Sequence, residues 1–114
     1  MEIIKEKLFE LKPGIRYFAI NRLGKVVAME QNPDHPSFNP HDTDNLEEMF
    51  VNPVAVYLIK KRGALDLGGM RYIIIRYGTQ YQVLFPLDDG HLSVGVELSA
   101  NVEDTAEAIL GFIK

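Results

Sequence analysis

The sequence predicts an α+β fold: a single five-stranded antiparallel sheet flanked by helices, in the order α-β-β-α-β-β-β-α. Three observations predict it. Five short runs rich in β-branched and aromatic residues are separated by turns too tight for anything but hairpins, except at one long helical interruption. That interruption, roughly residues 44–67, carries helix starts and stops. Amphipathic helical patterns close both ends of the chain.

The first element is a helix over residues 1–12, where Ile4, Leu8 and Leu11 recur at spacings of four and three. Pro13-Gly14 ends it. A strand follows from Ile15 to Ile20, then a turn at Asn21-Arg22-Leu23-Gly24, then a strand from Lys25 to Glu30. Residues 31–43 hold three prolines among Asn, Asp and Ser and read as a long loop.

Asp44 with Glu47 three residues on is an N-cap pattern. Asn52 before Pro53 is a second one. The spacing therefore predicts two helical pieces, 44–51 and 53–67, with a bend between them and Gly68-Gly69 as the stop. Strands follow at Met70–Tyr77, Tyr81–Pro86 and His91–Leu98. The last two are joined by Leu87-Asp88-Asp89-Gly90, whose Asp-Gly is a strong hairpin signal. Asn101 caps the terminal helix, whose apolar face is Val102, Ala106, Ile109, Leu110 and Ile113.

Residues 1–114 make one domain, large enough to hold a core without staples. At 46% apolar and 25% charged residues the chain has an ordinary globular balance. There is no cysteine, which excludes thiolate zinc sites, thiol redox chemistry and a Cys nucleophile. Twelve basic against sixteen acidic residues give a net charge of −4, which does not favour nucleic acid or anionic lipid. No apolar run is long enough to enter a membrane or to form a signal peptide, so the expected location is cytoplasmic.

Catalytic signatures are missing. The sequence has no glycine cradle for phosphates, no Gly-x-Ser-x-Gly elbow and no His-Glu-x-x-His. No cofactor and no metal is expected. Asp34, His35, His41, Asp42 and Asp44 could in principle ligate a metal, but Leu46 breaks the calcium-loop pattern, and a solvated loop is the simpler reading. Asp88-Asp89 reads as turn chemistry, not as a carboxylate pair. Lys60, Lys61, Arg62, Arg71 and Arg76 with Tyr72, Tyr77 and Tyr81 could suggest an RNA platform. Cations near a helix C-terminus explain the basic cluster more simply. His91 reads as a half-exposed strand residue, because no carboxylate is placed by spacing to partner it.

Leu23-Gly24-Lys25, the segment Gly68-Gly-Met-Arg-Tyr-Ile-Ile-Ile-Arg-Tyr and the segment Leu87-Asp-Asp-Gly-His-Leu-Ser-Val-Gly-Val, taken in this element order, resemble the Roadblock / dynein light chain family from about Ile15 to Ile113. The resemblance implies a profilin-like core and a homodimer or heterodimer with no catalytic residues. It also implies a part in regulating or scaffolding Ras-like small GTPases. The dimer would form through the strand after the central helix and through that helix, here Val54, Tyr57, Leu58, Lys61, Arg71, Ile73 and Ile75. An apolar edge strand is a liability unless paired, which agrees. Pro53 and the length of loop 31–43 depart from the family pattern.

Two other classes compete. A secretion-chaperone-like binding module would place three strands before the central helix and two after. A PAS-like small-molecule sensor would need a pocket lined by residues such as Phe18, Phe50, Tyr57 and Phe85, which read more simply as core.

Overall fold

The alternation of apolar residues along the strands decides the architecture of the computed structural model, which describes residues 5–32 and 46–113. Strands β1 (Ile15–Arg22), β2 (Lys25–Gln31), β3 (Ile73–Arg76), β4 (Tyr81–Leu87) and β5 (Gly90–Val96) form one antiparallel sheet in the order β2-β1-β5-β4-β3. Helices α1 (Lys5–Leu11), α2 (Asn52–Asp66, led by a π-helical turn Glu47–Val51) and α3 (Val102–Ile113) complete the predicted order. The predicted start of the first helix, the loop residues 33–43 with their candidate ligands, and the Asp44 cap lie outside the described residues.

One sheet face carries Phe18, Ile20, Val83, Phe85, Leu92, Val94 and Val96 against Leu8 of α1 and Ala106 and Ile109 of α3. This is the apolar core. Because strand side chains alternate, the other face carries Tyr17, Ala19, Asn21, Gln82, Leu84, His91 and Ser93, and α2 covers it.

Several local expectations are corrected. Only Leu23 and Gly24 form the first hairpin turn, with φ of 54° and 79°, so Asn21 and Arg22 belong to β1. A two-residue turn with both φ positive matches the twist of the strands it joins. The last hairpin turns at Asp88-Asp89, and Gly90 already pairs with Leu87. Gly90 has no positive φ. A Cβ there would overlap the Asn21 carbonyl of β1, so close approach, not turn geometry, demands the glycine.

The predicted bend at Pro53 is replaced by unbroken helical dihedrals through Val51 (φ −76°, ψ −55°) and Asn52 (φ −66°, ψ −42°). The N–H of Asn52 reaches five residues back to the Glu47 carbonyl. Proline lacks an N–H and crowds the carbonyl four residues before it; the wider π turn absorbs this without a break. Asn52 is therefore not a cap. β3 spans four residues rather than the predicted eight, since Gly68 (φ 80°) and Gly69 (φ 93°) turn the chain over Gly63, whose carbonyl accepts from the N–H groups of Leu67 and Gly69. Asn101 does cap α3: its Oδ1 accepts from the Asp104 N–H at 3.1 Å.

Candidate functional site

Helix α2 wears its polarity inside out. A helix on a sheet normally buries an apolar stripe and shows polar residues to water. Here Glu48 of the leading turn and Asn52, Val56 and Gly63 of the helix are buried. The outward stripe is Phe50, Val54, Tyr57, Leu58 and Leu65, exposed by 62%, 58%, 59%, 59% and 80%. These positions recur mostly at spacings of three and four, so they share one face. Lys61 lies on the same stripe, its ammonium 5.2 Å from the Tyr57 ring centroid.

The sheet also has an edge that no described strand pairs. α2 packs over β4 and β5, and β3 lies beyond β4 as an outer strand. Ile73 and Ile75 pair with Leu84 and Gln82, which places them on the α2 side of the sheet, half-buried. Tyr77, just past β3, donates its hydroxyl to Glu47 at 2.8 Å, and burial followed by the nearby Glu47 carboxylate pushes it up to about 12. Arg71 is exposed and holds the Gly68 carbonyl at 3.1 Å. Val54, Tyr57, Leu58 and Lys61 thus share the outer face of α2, while Arg71, Ile73 and Ile75 follow the β3 edge of the sheet.

Beneath α2 lies a constellation that sequence reading missed. Glu48 is fully buried. One carboxylate oxygen accepts from Asn52 Nδ2 at 3.1 Å and lies 3.0 Å from His91 Nε2; the other accepts from the Tyr17 hydroxyl. Asn21 Nδ2 donates to the Glu48 backbone carbonyl at 3.3 Å. Gln82 Nε2 donates to Tyr17 at 3.3 Å and to Ser93 Oγ, which also accepts from Asn52. Burial drives the Glu48 carboxyl up, but hydrogen bonds led by those from His91 and Tyr17, with Asn52, hold it below the ordinary carboxylate range. Burial, and then the charge of Glu48, push the Tyr17 phenol far above its usual value. His91 is therefore buried and partnered, against expectation. Its partner comes from 43 residues away, beyond the reach of any spacing rule.

Other candidates separate. Phe18 and Phe85 are core, whereas Phe50 and Tyr57 are exposed on α2, so the four line no common pocket and only two are core. Lys60, Lys61 and Arg62 stop short of the last turn of α2. Lys60 donates to the Leu87 carbonyl, and Arg62 pairs with Asp66 at 2.6 Å. Tyr72 donates to Glu107, and Arg76 sits over the Tyr81 ring. Asp89 accepts from Arg22 at 2.5 Å, as a turn residue bracing β1. Among the described residues no three His, Asp or Glu side chains converge as metal ligands, and no helix is long and apolar enough to cross a membrane.

Solved structures share this arrangement. A Roadblock/LC7 domain from Streptomyces avermitilis superposes with a TM-score of 0.67 over 92% of this chain and 86% of its own, at 12% identity. The chain has the Roadblock fold. The gliding protein MglB from Thermus thermophilus shares that fold at a TM-score of 0.61 and 16% identity, covering 92% of this chain and 82% of its own. MglC from Myxococcus xanthus matches at 0.54 and 12% identity, over 91% and 85%. A further MglB structure, at 0.61 and 17% identity over 92% and 81%, has a tetrameric arrangement. No protein-family model and no curated protein matches the sequence. At these identities the likeness shows the Roadblock fold, with two strands before the central helix and three after it.

Proposed function

We propose that this chain is a non-enzymatic dimeric interaction module of the cytoplasm that regulates or scaffolds a Ras-like small GTPase. The observation that carries the reading is the inverted helix: Phe50, Val54, Tyr57, Leu58 and Leu65 face outward, and β3 is an outer strand of the sheet. Exposed apolar surface of this continuity marks an interaction site. A strand edge of this kind adds a row of N–H and C=O groups that a second copy can complete. Val54, Tyr57, Leu58 and Lys61 from α2, and Arg71, Ile73 and Ile75 along the edge, are the proposed contacts between two copies. The GTPase comes from the Roadblock likeness.

The alternatives have less support. A secretion-chaperone-like order would need a third strand before the central helix, and β3 follows it. A PAS-like sensor would need a ligand pocket that Phe50 and Tyr57 do not face.

The reading is tested by affinity capture from the cells of origin followed by mass spectrometry, with the wild-type chain and Leu58→Glu in parallel. Retention of a Ras-like GTPase by the wild type and its loss with Leu58→Glu is the expected result. Equal capture by both, or capture of a signalling kinase instead, contradicts it.

A further inference from the structure

Helix α2 is fastened to the sheet unlike α1 and α3. Those two bury Leu8, Ala106 and Ile109 in an apolar core, and such contacts are lost only when the core opens. α2 and its leading turn bury one aliphatic side chain of any size, Val56. Beneath it the sheet contributes the small apolar patch of Ala19 and Leu84, and the rest of the attachment is polar and converges on one carboxylate. From β1, Tyr17 reaches the Glu48 carboxylate and Asn21 its backbone carbonyl. From β5, His91 reaches the carboxylate directly, and Ser93 is linked to it through Asn52. From β4, Gln82 braces Tyr17 and Ser93. Asn52 Oδ1 is buried with no partner among the described residues.

A hydrogen bond exchanged for one with water contributes little net free energy, whereas buried apolar area has no substitute in water. Elements that act in binding are drawn from the less stable end of a structure. We propose that α2 with its π turn opens as a unit separate from the sheet and its apolar core, and that Glu48 is the positioning residue that holds its outer face in place. The significance of that outer face rests on the docking reading above; the opening itself does not.

The groups facing Glu48 are Tyr17 from β1 and His91 from β5 among titratable side chains, with Asn52 uncharged; Glu47 on the same turn is engaged by Tyr77 instead. With its carboxyl held below the ordinary range when closed, the closed form binds fewer protons than the open form. Closure is therefore favoured above roughly pH 4.3 and weakens as the pH falls below it.

Native-state hydrogen exchange on the full chain, corrected for intrinsic rates, tests this. Residues 47–66 should exchange through an opening that leaves β1, β4 and β5 protected. Glu48→Gln should raise that opening at least tenfold without changing the sheet. Between pH 5 and pH 4 the wild-type opening should increase, and Glu48→Gln should lose that increase. Exchange of α2 together with the sheet in one global event, or equal pH profiles for both proteins, overturns the proposal. If Glu48→Gln does not fold, the wild-type comparison of α2 with the sheet decides alone. Repeating the wild type at two protein concentrations separates the docking reading: protection of α2 that ignores concentration counts against pairing of copies, not against the separate opening.

Discussion

Glu48 on the turn that leads α2 and His91 at the start of β5 lie 3.0 Å apart, both sealed from solvent. This pair ties the helix covering this face of the sheet to the central strands. Removing one partner leaves the other's polar atoms buried without a substitute. Glu48→Ala, which strands Tyr17, Asn52 and His91 together, should cost about 3 kcal/mol of stability. Glu48→Gln keeps one acceptor oxygen and should cost roughly half of that. Urea denaturation followed by circular dichroism measures both, and a loss indistinguishable from zero for Glu48→Ala contradicts the described network.

Stability should also depend on pH with a definite sign. The folded carboxyl of Glu48 is lowered, so its contribution is present above the unfolded value of roughly 4.3 and is lost as the pH falls through the folded one. Tyr17 behaves oppositely. Its phenol is raised, so the unfolded chain releases that proton first and stability falls as the pH rises above about 10. Denaturation midpoints at pH 7, 4 and 10.5 should give a maximum at the first of these. Absorbance at 295 nm should show Tyr17 and Tyr77 ionising above the ordinary phenol range.

The glycines separate by environment. Gly111 sits exposed in α3 with nothing near its missing Cβ, so Gly111→Ala should stabilise by about 0.5 kcal/mol. Gly90→Ala forces a methyl into the β1 backbone and should destabilise by about 2 kcal/mol or more. In α2, the Cβ of an alanine at Gly63 would lie 3.0 Å from the Met70 nitrogen, so that helical glycine should show none of the usual gain. Thermal melts of the three variants rank them, and a stabilised Gly90→Ala would contradict the packing of β5 on β1.

Much of this was legible locally. Each strand and each hairpin left its mark within a few residues, because alternation and turn chemistry are short-range. The place of β3 at an edge came from the resemblance to the Roadblock / dynein light chain family, not from the residues of the strand. The reversed polarity of α2 was legible only through the resemblance, which put Val54, Tyr57, Leu58 and Lys61 at a dimer contact. From the residues alone, Phe50 and Tyr57 read as core, because every helix is assumed to bury its apolar side. Asn52 before Pro53 has the pattern of a cap, yet a π turn upstream drew it into the helix. Glu48, in a polar stretch, gives no sign of burial; only the fold brings Tyr17, Gln82, His91 and Ser93 to it from three strands.

The edge of β3 can be probed one backbone group at a time. The N–H of Tyr77 donates to the Gln80 carbonyl, which sets the phase of the ladder. The N–H groups of Ile73 and Ile75 then point toward β4, and those of Ile74 and Arg76 point to the outer edge. Arg76→Pro should weaken pairing of copies while leaving the chain folded. Ile75→Pro removes an internal ladder bond and should cost the strand itself. Circular dichroism with gel filtration separates the two, and identical behaviour of both variants would mean that this edge is not used.

The central claim is that the outer face of α2 and the edge of β3 join two copies of the chain. The most direct measurement is the mass of the wild-type protein in solution by light scattering, over a concentration series through the micromolar range. Pairing predicts about twice the chain mass of 12.9 kDa, reverting toward a single copy on dilution or with Leu58→Glu. A mass of one chain at every concentration, with Leu58→Glu indistinguishable from the wild type, would contradict it.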